Sequence, residues 1–227
     1  MEKIKSNEST ELQNNGSGNQ NTTQATQHFD IVVIGAGSGG IAVSSSLLKR
    51  NGKLRIALVD PATKHYYQPG WTMVGGGVFS AESTERETRT LIDKRVSLIQ
   101  QLVTEVKPDV DKIVLEDGSQ VNYDQLVIAP GLMLNWGAIE GLKETLGKNG
   151  VTSNYRYDLA PYTWELVRKT QRGKTIFTQP PMPIKCAGAP QKALYLSADH
   201  WLRNKHLKDI EIDFCNAGGV LFGVPAY

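Results

Sequence analysis

The chain has 227 residues, long enough for one large or two small domains with a hydrophobic core. Its 40% apolar and 21% charged residues are ordinary for a soluble protein, and a net charge of +2 with scattered basic residues and no aromatic–basic stripe argues against a nucleic-acid partner. Cys186 and Cys215 are the only cysteines, which excludes a disulfide scaffold and a CxxC pair, and the four histidines lack zinc-ligand spacing, so no metal is expected.

No apolar run reaches the roughly 18–20 residues that cross a bilayer. The opening MEKIKSNEST has no apolar h-region, and Glu2, Glu8 and Glu11 speak against a mitochondrial transit peptide, which avoids acidic residues. Residues 1–27 are almost entirely polar or charged and bury too little apolar surface to offset ordering entropy; a disordered polar tail is expected there.

Folded structure is expected from Phe29. FDIVVIG reads as a buried parallel strand, SGGIAVSSSLLKR as a helix with Ile41, Leu47 and Leu48 for one face, Asn51-Gly52 as its stop, and RIALVD (55–60) as a second buried strand. Strand, helix and strand within about 32 residues form a compact βαβ crossover. The segment PATKHYYQPGWTMVGGGVFS (61–80) reads as an ordered loop with short helical pieces, because His65, Tyr66, Tyr67 and Trp71 are costly to expose. SLIQQLVTEVKPD and KIVLEDGSQVNYDQLVIAPG alternate apolar and polar residues around Pro108-Asp109 and Asp117-Gly118, as hairpin strands do, and DQLVIAPG ends as a buried strand. Residues 150–172 read as a connecting segment ending in the helix PYTWELVRKTQ. A second βαβ pattern then begins: strand KTIFTQP, turn PMPIKCAGAP, helix APQKALYLSADHWLRN and strand IEIDFCNAGG, where Cys215 is expected in the core. The fold class is therefore α/β: a Rossmann-like dinucleotide domain with a β-hairpin insertion over residues 28–149, followed by an incomplete second Rossmann-like domain over 150–227.

Gly35-Ala36-Gly37-Ser38-Gly39-Gly40 satisfies GxGxxG between a strand and a helix. Gly35 allows the tight turn, Gly37 lets a pyrophosphate approach the backbone, and Gly40 permits close helix–strand packing. The free N–H groups and dipole of the following helix favour the anion. Asp60, 20 residues past Gly40, ends the second strand, where a carboxylate accepts hydrogen bonds from adenosine ribose hydroxyls. The motif alone does not separate FAD from NAD. The hairpin insertion and the closing Ala129-Pro130-Gly131 turn favour FAD, with the edge residue Val103 offering its backbone to the adenine.

The second helix start reads Pro183-Ile184-Lys185-Cys186-Ala187-Gly188-Ala189-Pro190. One glycine remains, and two prolines remove N–H donors a phosphate would need, so NAD(P)H is not expected to bind there. A helix N-terminus with Lys185 and Lys192 nearby favours the Cys186 thiolate; against this, a lone cysteine is commonly a small buried hydrophobe.

These features together resemble the sulfide:quinone oxidoreductase family, from about Phe29 to Tyr227. The most specific pieces are GAGSGG, HYYQPGWTMVGGG, LVIAPG, SNY at 153–155 and IKCAGAPQK. The resemblance implies FAD contacts at Ser38 and Gly39, Asp60 on the ribose, Gln68 near the flavin and Val103 at the adenine, with Cys186 one of two redox cysteines. It implies sulfide as substrate: sulfide attacks a cysteine-linked sulfur bridge, a persulfide remains, and two electrons pass through the flavin to quinone. The sulfane sulfur leaves on a small sulfur acceptor. A peripheral position on the bacterial plasma membrane is implied as well, and a homo-oligomer is compatible with it. The family is nearly twice this length, so the second cysteine, a Gly-Asp segment and amphipathic membrane helices have no counterpart here, and the chain is expected to be a truncated N-terminal portion. Alternatives are a type II NADH dehydrogenase, a flavocytochrome-type sulfide dehydrogenase subunit and a non-catalytic FAD-binding fragment.

Overall fold

The computed structural model describes residues 27–221; the expected N-terminal tail lies outside them except for Gln27. The chain in order forms β1 (Gln27–Ile34), α1 (Ser38–Arg50), β2 (Ile56–Val59), β3 (Lys64–Tyr66), α2 (Trp71–Gly75), β4 (Glu85–Glu87), β5 (Ser97–Ile99), β6 (Val103–Lys107), β7 (Lys112–Leu115) and β8 (Gln120–Ile128). It continues with α3 (Leu142–Thr145), α4 (Ala160–Lys169), β9 (Gly173–Gln179), α5 (Gly188–Arg203) and β10 (Ile210–Asn216). Short 3₁₀ turns punctuate the connections.

Strands β5-β2-β1-β8-β7-β6 make one sheet in that order. The first four are mutually parallel, and the β7–β6 hairpin continues the sheet antiparallel from β8. Side-chain alternation divides the core in two. Ile31, Val33, Ile56 and Leu58 meet Leu48 of α1 with Ile92 and Val96, while Val32, Ala57 and Val59 meet Ile113, Leu115, Val121 and Tyr123. The hairpin thus covers the face that α1 does not, which is why β1 and β2 can be apolar on both sides. Helix α1 turns residues 40, 44 and 48 inward at i,i+4 spacing, and Ile41 and Leu47 flank them. It stops at Asn51, whose N–H donates to the Leu47 carbonyl.

Two boundaries differ from the sequence reading. Gln27 and His28 already belong to β1, pairing with Val121 and Asn122 of β8, because parallel pairing with a long neighbour extends a strand past its apolar residues. SLIQQLVTEVKPD is not one hairpin strand. It breaks at Gln101: β5 joins the parallel sheet beside β2, and the hairpin starts only at Val103. Alternation alone does not distinguish a strand that is paired in parallel from one in a hairpin.

The 61–80 segment holds more regular structure than a loop. β3 pairs antiparallel with β4, and α2 follows directly. Trp71 and Val74 of α2 pack with Ala81 and Ala160, and Tyr157 lies against them. Consecutive glycines let α2 approach its neighbours. A Cβ at Gly75 would stand 2.2 Å from Asn154 Oδ1, and one at Gly77 2.4 Å from the Trp164 ring.

β9 and β10 form a separate parallel pair, in register from Gly173↔Ile210 to Gln179↔Asn216. α4 and α5 cover one face, with Val167, Trp201 and Ile210 buried against Trp164, Phe177 and Ile212. The Trp201 indole N–H donates to the Val167 carbonyl at 2.8 Å and joins the two helices. The other face carries Lys174, paired with Glu211 and Asp213, and the exposed Ile176. Cys215, expected in the core, lies on this face and is exposed. The reason is local: the expectation assumed a strand covered on both sides, and β10 is covered on one.

Candidate functional site

The glycine turn joins β1 to α1 beside the end of β8. Gly35 has φ +101°, and a Cβ there would stand 2.2 Å from the Ala129 carbonyl oxygen. The Ala129 N–H donates to the Ile34 carbonyl at 2.8 Å, so the closing turn after β8 is fastened onto the glycine turn. Gly131 also has positive φ, as the end of such a turn requires. A Cβ at Gly40 would fall 1.8 Å from the Gly35 carbonyl oxygen and 3.2 Å from Leu58 of β2, so this glycine serves helix–strand packing. Gly37 differs from both: nothing lies within 4 Å of its added Cβ, and its surroundings are open.

Gly37 is the N-cap of α1 and offers no capping side chain, and the first turn has no acidic residue. Ser38 and Gly39 are exposed. The positive end of a 13-residue helix therefore has no side-chain cap and no acid in its first turn, an arrangement that suits a phosphate.

Asp60 follows β2 and is only partly buried. Its Oδ2 accepts the Ala36 N–H at 2.6 Å and its Oδ1 accepts the Ala62 N–H at 2.7 Å. Each oxygen keeps a lone pair for a further donor. Asp60 thus fixes the glycine turn from the end of β2, a role that spacing alone did not reveal. His65 on β3 reaches the same residue: its Nδ1 lies 3.3 Å from the Ala36 carbonyl oxygen. The sequence reading noted His65 only as a residue costly to expose. The hint available was its position as the first ring after the acid.

Gln68 sits in the 3₁₀ turn before α2, and its Oε1 is buried with no partner among the described residues. The Trp71 Nε1 and Asn154 Oδ1 are likewise buried and unpartnered. Buried polar atoms normally have partners, so these three, two at the start of the α2 segment and one against Gly75, leave capacity for a polar ligand. Val103 opens β6 opposite Leu115, at a bulge, and its side chain packs on the core cluster that contains Val59. The open Gly37, the bare helix start, the two-sided Asp60 and the orphaned Gln68 together fit an adenine dinucleotide with a polar ring system.

Cys186 lies in the turn between β9 and α5, two residues before the helix, and is exposed. Of the two expectations for it, a reactive thiol or a small buried hydrophobe, its exposure excludes the second. Its φ is +92°, unusual for a residue with a side chain. The Cys186 N–H donates to the Ile184 carbonyl, and its own carbonyl accepts the Ala189 N–H at 2.9 Å. With that donor used and Pro190 lacking one, the start of α5 offers far fewer free N–H groups than the start of α1. The Tyr155 hydroxyl donates to the carbonyls of Lys185 at 2.6 Å and Cys186 at 3.2 Å. Burial, with Cys186 nearby as the second cause, pushes the Tyr155 phenol up to about 12. The phenol stays a neutral donor at physiological pH. SNY stood out in the sequence, but nothing there told that its tyrosine holds the cysteine turn.

Comparison with known proteins sets these features in a family. The pyridine nucleotide-disulphide oxidoreductase family model matches residues 29–165. The chain is 44% identical over 200 residues to the mitochondrial sulfide:quinone oxidoreductase of Dictyostelium discoideum, covering 87% of this chain and 44% of that protein. It is 36% identical over 203 residues to the mitochondrial enzyme of the same name from Mus musculus, covering 89% of this chain and 45% of the relative. The chain therefore spans about half the length of the curated relatives it matches. Among solved structures, the sulfide:quinone oxidoreductase of Aquifex aeolicus superimposes with a TM-score of 0.69 at 21% identity, over 84% of this chain and 43% of that one, a likeness of fold. No helix among the described residues is long and apolar enough to cross a membrane. With a βαβ glycine cradle, an acid at the end of β2 and a family match over more than half its length, the chain belongs to the pyridine nucleotide-disulphide oxidoreductase family.

Proposed function

We propose that this chain is the FAD-binding and cysteine-bearing part of an enzyme that oxidises hydrogen sulfide to sulfane sulfur and passes the electrons to quinone. The observation that carries the reading is the contrast between two helix starts. The first, α1, presents bare N–H groups to open space; the second, α5, has one donor used at Ala189 and one missing at Pro190, and an exposed thiol stands before it. A pyridine-nucleotide reductase needs both starts as phosphate cradles, and this chain keeps one. The 44% and 36% identities to proteins named sulfide:quinone oxidoreductase support the same substrate and acceptor.

In this reading residues 28–149 are the FAD domain and residues 150–227 belong to a second dinucleotide-type domain. The backbone of Gly37, Ser38 and Gly39 holds the pyrophosphate, while Gly35, Gly40, Ala129 and Gly131 shape the turn around it. Asp60 accepts from the ribose, Val103 offers its backbone to the adenine, and Gln68 contacts the flavin's polar edge. FAD supplies a two-electron acceptor when bound. Cys186 supplies the sulfur atom that carries sulfane sulfur as a persulfide, and its release to a small thiol, sulfite or a second sulfide frees the cysteine. Two electrons leave each sulfide, matching the reduction of one quinone to quinol. The enzyme works at the face of a quinone-bearing membrane as a peripheral protein.

The test is sulfide-dependent decylubiquinone reduction by the protein expressed from the intact reading frame. Cys186→Ser is expected to lower turnover by at least about a hundredfold, the scale of losing a covalent nucleophile. Turnover equal to wild type in that variant would remove Cys186 from the reaction.

A further inference from the structure

His65 lies outside the glycine turn in sequence but holds one of its peptide groups. The Ala36 backbone is gripped at both ends. Asp60 Oδ2 takes its N–H at 2.6 Å, and His65 Nδ1 stands 3.3 Å from its carbonyl oxygen. A carbonyl oxygen only accepts, so Nδ1 must carry the hydrogen. The peptide linking Ala36 to Gly37 is planar and trans, with its C=O and N–H pointing in opposite directions. Holding the carbonyl toward His65 therefore turns the Gly37 N–H away from it. That N–H has no acceptor among the described residues, and Gly37 is the exposed N-cap whose surroundings are open. Without an anchor on its carbonyl, a peptide that leads into glycine is free to rotate and present its carbonyl, an oxygen that repels phosphate, to the same space.

We infer that His65 is a positioning residue of the phosphate cradle: by donating from Nδ1 to the Ala36 carbonyl it aims the Gly37 N–H at a dinucleotide's pyrophosphate. The inference rests on the reading of this cradle as a dinucleotide site and adds to it a residue no glycine motif contains. The partly buried His65 ring and the short β3–β4 ribbon keep the donor in place, so the orientation precedes ligand binding.

The test compares ADP with adenosine on the 227-residue chain by calorimetry, in wild type, His65→Ala and His65→Asn. The Asn side-chain amide puts a donor close to the position of Nδ1. His65→Ala is expected to weaken ADP by about tenfold, the scale of one charge-assisted hydrogen bond, with adenosine changed less than about twofold. His65→Asn should recover most of the ADP affinity. The ¹⁵N signal of Nδ1 in the wild-type ring should fall in the range of a protonated nitrogen. An Nδ1 without its proton, an Ala variant that binds ADP like wild type, or equal loss of ADP and adenosine would each overturn the inference. Should wild type bind neither ADP nor FAD, the dinucleotide reading itself fails, an outcome distinct from a wild type that binds and an Ala variant that binds equally well.

Discussion

Three glycines of one turn carry three different loads, and substitution separates them. Gly35→Ala forces a Cβ to 2.2 Å from a backbone oxygen at φ +101°, where neither partner can swing aside. We expect a loss of about 3 kcal/mol or more in urea unfolding. Gly37→Ala meets no atom within 4 Å at φ −72° and should change stability by less than about 1 kcal/mol. Its methyl would occupy the phosphate's approach, so FAD affinity should still fall by about tenfold or more, measured by flavin fluorescence quenching. Equal affinity in Gly37→Ala and wild type would show that the phosphate lies elsewhere. Tyr155 offers a pH test. Its folded pKa of about 12 exceeds the ordinary 10.0, so folding holds a proton that the unfolded chain releases. The resulting stability is complete below pH 10 and is lost as pH rises toward 12. Tyr155→Phe should cost about 1 kcal/mol near pH 8, and the gap from wild type should shrink between pH 10 and 12. A gap that stays constant or widens over that range contradicts a neutral phenol bound to the cysteine turn.

Among the elements, those with a full apolar run or a complete helix pattern of their own were legible from the sequence. The predicted helix SGGIAVSSSLLKR is α1 to the residue, because its cradle, apolar face and Asn51-Gly52 stop all act locally. β9 and α5 matched within one residue for the same reason, while β10 stops three residues before the expected end. What escaped was too short to carry a pattern of its own or was set by its neighbours. The β3–β4 ribbon joins residues about 20 apart, β5 owes its place to β2, and the exposure of Cys215 depends on what covers β10. The site divided in the same way. Its glycines and acid could be read from spacing, while the grip of His65 on Ala36 spans 29 residues and that of Tyr155 on Cys186 spans 31. α2 links the two halves of the chain through contacts only glycine permits. Gly77→Ala would push a methyl to 2.4 Å from the Trp164 ring at φ +74°. We expect about 2 kcal/mol of destabilisation and faster amide exchange in α4. Unchanged exchange in α4 would mean that α2 does not support that helix.

On the scale of the whole molecule, the six-stranded sheet puts the glycine turn and the residues that shape it at one end of β1 and β8. The glycine turn, the Ala129 closure and Asp60 all follow the carboxyl ends of parallel strands, where ligands of open α/β sheets bind. The sheet's long apolar strands are covered on both faces, which gives this end a rigid base. Ile128, Leu132 and Met133, just beyond it, are exposed. The second helix start stands apart on its own two-stranded sheet and presents Cys186 in place of phosphate donors. The proposed function needs one cradle and one thiol in this chain rather than two cradles. Parallel titration of the chain with FAD and with NADH, followed by calorimetry, tests it most directly. The account predicts saturable FAD binding at one per chain, lost in Gly35→Ala, and no second dinucleotide site for NADH when FAD is present. NADH binding that persists beside FAD and is weakened by substitutions in the Cys186 turn would contradict it.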